Sequence, residues 1–88
     1  MPSPVAVSTS TSAHRVVVDG GFTGVVKIAH VVKLPQYGVS RFESRTTAQQ
    51  DRWLVDYICT GTEQQVELLR KRIYRLPGVV RIDRRPAP

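Results

Sequence analysis

The chain has 88 residues, 41% of them hydrophobic and 23% charged, with a net charge of +6. That length admits one small domain and excludes a dinucleotide-binding domain joined to a substrate domain, or a (β/α)8 barrel. No apolar run approaches the roughly 20 residues a bilayer-spanning helix needs, and Met1 to Ala13 has neither the basic start nor the continuous apolar stretch of a secretory signal.

Thirteen Lys and Arg against seven Asp and Glu raise the expectation of an anionic partner, nucleic acid among them. The single cysteine, Cys59, cannot close an internal disulfide and fits a reducing compartment, so a cytoplasmic location is expected. Residues 1–13 are Ser, Thr, Pro and Ala with scattered Val, and read as a disordered leader. Residues 84–88, with two prolines and two arginines, read as a frayed tail. The folded domain is expected over residues 14–83, a size that buries only about 60% of its unfolded surface and gains from pairing with a second copy.

Arg15 to Asp19 predicts the first strand, with Val16, Val17 and Val18 in succession as in a central strand covered on both faces. Asp19-Gly20-Gly21 is a turn signal, and Thr23 is the expected N-cap of a helix whose inner face is Val25, Ile28, Ala29 and Val32. Pro35 stops that helix. Val39 to Thr47 predicts a polar edge strand. Ala48 to Asp51 is a hairpin loop, and Trp53 to Thr60 the third strand, with Trp53, Val55, Tyr57 and Cys59 on its better buried face. Thr62 and Gln65 make a capping-box pattern ahead of the clearest amphipathic helix, with Val66, Leu69, Ile73 and Leu76 on one face. Glu67 and Lys71 are placed to pair, Pro77-Gly78 ends the helix, and Val79 to Asp83 is the fourth strand. The order βαββαβ gives an α+β, ferredoxin-like domain: a four-stranded antiparallel sheet with both helices on one face.

Nothing in the sequence supplies catalytic or metal chemistry. His14 and His30 have no Cys, Asp or Glu at ligand spacing, no serine lies in a nucleophile elbow, and Cys59 reads as a buried structural thiol. A non-enzyme without a cofactor is expected. The segment Asp19-Gly20-Gly21-Phe22-Thr23-Gly24 is the most suggestive, because glycines at a helix N-terminus let backbone N–H groups approach an anion such as a carboxylate. The alternative is a tight turn whose glycines serve geometry alone. A second functional reading is an RNA-binding domain of the same topology, since Arg52-Trp53-Leu54-Val55-Asp56-Tyr57 loosely matches an RNP1 element.

Three segments together resemble the ACT domain: Asp19 to Gly24 running into Val25-Val26-Lys27-Ile28; Gly38-Val39-Ser40-Arg41-Phe42-Glu43-Ser44; and Leu68 to Val80 through Pro77-Gly78. The likeness is nearest to the short small subunits of acetolactate synthase. It departs from them at Thr23, where proline is usual, and at Ser40, the nearest polar residue to the usual asparagine, beside which Arg41 looks like an insertion. What the resemblance implies is a regulatory domain that dimerises side by side and acts on a large catalytic subunit. A small amino acid (valine, leucine or isoleucine) would sit between Asp19, Gly20, Gly21, Phe22, Thr23, Gly24 and Val25 of one protomer and Val39 and Ser40 of its neighbour.

Overall fold

The computed structural model describes residues 8–86. In chain order the elements are β1 (Ser10–Asp19), α1 (Gly21–Val32), a single 3-10 turn (Pro35–Tyr37), β2 (Val39–Thr46), β3 (Arg52–Gly61), α2 (Glu63–Tyr74) and β4 (Val79–Arg85). All strand pairs are antiparallel, in the order β2-β3-β1-β4, so β1 and β3 are central and β2 and β4 form the edges. This is the ferredoxin-like arrangement anticipated from the element order.

Period-two alternation divides the sheet into two faces. Val16 and Val18 of β1 and Val55, Tyr57 and Cys59 of β3 face the helices. There they pack against Val25, Ile28, Val31 and Val32 of α1 and Val66, Leu69 and Ile73 of α2. Val17 is buried as well, on the opposite face, which accounts for the unbroken valine run. Thr62 and Gln65 close both halves of the capping box, at 2.8 and 3.1 Å. Glu67 pairs with Arg70 at 2.5 Å rather than with Lys71.

β2 and β3 differ from the bounds read in the sequence by one residue at an end, and the start of β1, the end of β4 and the start of α1 by more. β1 begins at Ser10, so residues 10–13 are strand, not leader; residues 1–7 lie outside the described residues. The long β3 supplies ladder partners as far as Gly61, and the small polar Ser12 is buried there with its hydroxyl accepting from Arg84 at 3.1 Å. At the other end Arg84 also pairs with Glu63 of α2, which carries β4 on to Arg85; residues 87–88 of the expected tail lie outside the described residues. Thr23 is not the N-cap of α1. Gly20 and Gly21 both adopt positive φ (102° and 66°), the chain reverses at once, and the helix starts two residues before Thr23 with no side-chain cap.

His14 is 1% exposed, on the helix side of β1, with Nδ1 2.6 Å from the Tyr57 hydroxyl and Nε2 without a partner. Burial, reinforced by Arg84 and Arg70 and opposed by Glu67 and Glu63, holds its pKa below the ordinary 6.5. The neutral ring is thus favoured in the fold, while the unfolded chain takes up a proton once the pH drops below 6.5. His14 therefore lowers stability as the pH falls through that point. Urea midpoints are expected to decline from about pH 7.5 to about pH 5, and to decline less in His14→Gln.

Gly78 has φ 89°, and a Cβ there would strike the Asp19 carbonyl oxygen. Gly78→Ala is expected to lose about 2 kcal/mol or more in chemical unfolding, combining left-handed strain with overpacking.

Candidate functional site

The glycine-rich segment turns the chain from the end of β1 into α1. Asp19 ends the strand with its carboxylate held by both Nε and Nη2 of Arg52, at 2.7 and 3.0 Å, which keeps the carboxyl below the usual carboxylate range. The Gly21 N–H donates to the Asp51 carbonyl at 2.9 Å, so one of the free amides of the helix start is already used. Phe22 is 62% exposed and meets Trp53 edge-on, with centroids 5.7 Å apart. Gly24 is the residue on which the helix rests: a Cβ would come within 2.8 Å of both the Asp19 carbonyl and a Val18 methyl. Its smallness is a packing requirement, so the geometric reading of this glycine holds whatever the loop binds. Val25 is buried in the core, leaving its backbone as its contribution to the loop.

Beside this turn lies a concavity of about 210 Å³ lined by Asp19, Gly20, Thr23, Gly24, Lys27, Pro77 and Gly78. Lys27 and the Pro77-Gly78 turn are residues that the sequence reading did not connect with the loop. The Asp19 N–H donates to the Gly78 carbonyl at 2.8 Å, which places the end of α2 against the start of α1. Long-range contacts of this kind leave no local mark in a sequence, although each of the two glycine turns does.

Val39 and Ser40 lie elsewhere in the same chain. Asp19 is opposite Arg52 and Val39 opposite Cys59, so the two segments are seven residues apart along β3, roughly 24 Å at about 3.4 Å per residue. Val39 is half-buried and Ser40 exposed; with Ala29, Val32, Lys33 and Phe42 they line a second concavity of about 300 Å³. The register of β2 on β3 shifts between Val39 and Arg41, at the place where the sequence suggested an inserted residue. One protomer alone does not bring Asp19–Gly24 together with Val39 and Ser40.

The open face of the sheet carries charge in place of rings. The register sets Arg41, Ile58, Ala13 and Arg85 in one row across the four strands, Glu43, Asp56, Arg15 and Asp83 in the next, and Arg45, Leu54, Val17 and Arg81 in a third. Arg15 grips Asp56 at 2.8 Å, with Arg45 3.7 Å away; Arg41 pairs with Glu43 at 2.7 Å and Arg81 with Asp83 at 2.9 Å. Of the six aromatic residues, none lies on this face. Tyr57 is buried, Trp53 and Phe42 pack against the core from the helix side with Tyr37, and Phe22 and Tyr74 belong to the helices. An RNP-type reader stacks bases on rings at this surface, and that platform is missing.

Among the described residues no group of three or more His, Cys, Asp and Glu is placed to hold a metal ion, and no helix is long and apolar enough to cross a membrane. Cys59 is buried, and burial pushes its thiol pKa up, away from the reactive thiolate.

The sequence matches no protein-family model and no curated protein. Solved structures do match. The ACT domain of GTP pyrophosphokinase from Chlorobium tepidum superposes with a TM-score of 0.77 at 10% identity, covering 91% of this chain and 90% of that one. The acetolactate synthase small subunit from Thermotoga maritima gives 0.73 at 15% identity, over 85% of this chain. The chain has the fold of an ACT domain. It spans about half, 47%, of that small subunit. An uncharacterized Thermotoga maritima protein, TM1266, superposes over its full length with a TM-score of 0.75 at 9% identity. At such identities the ACT likeness is one of backbone, and the side chains that line each concavity are this chain's own.

Proposed function

We propose that this ACT-fold protein is a non-catalytic regulatory subunit, and that it senses a small amino acid on behalf of a biosynthetic enzyme. The observation that carries the reading is the division of the candidate site between distant ends of one protomer. The Asp19–Gly24 turn with its concavity lies at one end of β3, and Val39 and Ser40 lie at the other on an edge strand bonded to β3 alone. A second copy placed side by side would supply the missing half.

The parts suit an amino acid. Backbone N–H groups at the start of α1 and the Lys27 ammonium beside them suit a carboxylate. Phe22 and Val26, both exposed on α1, offer apolar contact to a branched side chain. Valine, leucine and isoleucine are therefore the ligands we propose, and acetolactate synthase the partner, a choice supported by the small subunit among the structures of like fold. Cytoplasmic residence goes with that role.

The test is thermal unfolding against a panel of free amino acids. A ligand at about a hundred times its Kd adds about 2.7 kcal/mol, which moves the Tm of a domain this size by several degrees. A shift confined to the branched aliphatic amino acids is the expected result, and no shift with any of them counts against the site. Thr23→Asp is the companion variant, because Thr23 is exposed and lines the concavity. It is expected to abolish the shift by setting a negative charge where the carboxylate binds, with the ligand-free Tm little changed. Gly24 is unsuitable for that purpose, since any side chain there disturbs the packing of α1.

A further inference from the structure

The seven ion pairs of the described residues are unevenly distributed. Five lie on the open face of the sheet, where they hold Arg15, Arg41, Arg45, Arg52 and Arg81. The other two, Arg70–Glu67 and Arg84–Glu63, are on the helix side. Six cations have no carboxylate partner among the described residues: Lys27, Lys33, Lys71, Arg72, Arg75 and Arg85. Five of those six belong to the helices or their C-caps. The chain's positive surplus is thus displayed almost entirely by the helical layer.

Four of these residues lie toward one end of it, the Arg72 guanidinium being engaged there in donating Nη1 to the Tyr37 hydroxyl at 3.1 Å. Lys71 and Arg72 fill the last turn of α2 and Arg75 caps it. Lys27 of α1 shares a concavity with Pro77 and Gly78, just past that cap, and all four are exposed. The helix dipole accounts for cations at the end of α2 but not for Lys27, which sits mid-helix on an element with no carboxylate at all. Tyr74, 55% exposed, follows Lys71 and Arg72, and Leu68, 57% exposed, shares a concavity with Lys71 and with Glu63 and Glu67, whose carboxylates are already held by Arg84 and Arg70. A bare phosphate backbone needs cations but makes no use of an exposed leucine, whereas a protein surface uses both.

We propose that this end of the helical layer, Lys27, Lys71, Arg72 and Arg75 with Leu68 and Tyr74, is a docking face for an acidic, partly apolar protein surface. The proposal goes beyond the regulatory reading and does not depend on amino-acid binding. It assigns the helices, and not the ion-paired sheet face, to the partner.

Two charge-reversal variants of equal net charge test it. One is Lys71→Glu/Arg75→Glu in the helical layer; the other is Arg45→Glu/Arg81→Glu on the sheet face. Both are first checked for native circular dichroism. Affinity is measured for poly-L-glutamate, for a glutamate–tyrosine copolymer and for a single-stranded RNA of matched charge, at two salt concentrations. The copolymer is expected to bind more tightly than poly-L-glutamate and to hold its affinity better at high salt. The helical variant is expected to lose about tenfold or more, and the sheet variant to stay within about twofold of wild type. Equal losses in both variants would show attraction by overall charge and overturn the proposal. So would tighter binding of the RNA than of either polypeptide, which would make the face a polynucleotide reader, or failure of wild type to bind either polypeptide.

Discussion

Asp19 is the point on which the fold closes. Its N–H donates to Gly78 at the head of β4, its carboxylate is clasped by Arg52 at the head of β3, and its carbonyl is crowded by Gly24 of α1 and by Gly78. Four elements therefore meet within contact distance of one residue. Such an approach is available only where no Cβ intervenes, and that explains why both Gly24 and Gly78 lack side chains. Positive φ at Gly20 and Gly21 lets the chain leave Asp19 directly into a helix, without the extra residues an ordinary N-cap turn would need. The same geometry leaves the concavity next to Asp19 open, so the requirement for packing and the opportunity for binding arise together.

A second constraint is the exposed sheet face, which no helix covers. Unsatisfied apolar strands invite association, and this sheet answers with rows of opposite charge across its strands. Val17, Leu54 and Ile58 lie between arginine stems, and each arginine but Arg85 finds a carboxylate. Individually such surface pairs contribute little, at most about 1 kcal/mol. Their effect is to leave this face nearly neutral and well hydrated, so the unbalanced charge appears on the opposite side.

Much of this was legible in the sequence. The valine run of β1, the alternation of β3, the capping box of α2 and the Pro-Gly stop after it are all local signals, and they produced the right elements in the right order. The ends of the sheet were not legible. Ser10, Thr11 and Ser12 have no hydrophobic period; they are strand because Gly61, Thr60 and Cys59 lie opposite and Arg84 reaches across to Ser12. His14 looked like the margin of a tail and is one of the most buried residues, since its partner Tyr57 is 43 positions away. The start of α1 departs from the threonine cap expected because a double glycine can do what such a cap does elsewhere. As for the candidate site, the loop was identifiable from its glycines, but neither Lys27 beside it nor the distance to Val39 could be read without the register of β3.

β1 and β4 are neighbours that run in opposite directions, and Ala13 stands directly opposite Arg85. The polypeptide thus enters and leaves the sheet at the same end, with β1 beginning three residues beyond the Ala13–Arg85 pair. A force applied across those two points would act perpendicular to the β1–β4 ladder and open it one hydrogen-bonded pair at a time, instead of shearing all pairs at once. The arrangement is mechanically soft, peeling from the end where His14 and Arg84 are paired. Because its entry and exit lie at the same end, this domain could also be set into a surface loop of a larger chain without stretching the host's backbone.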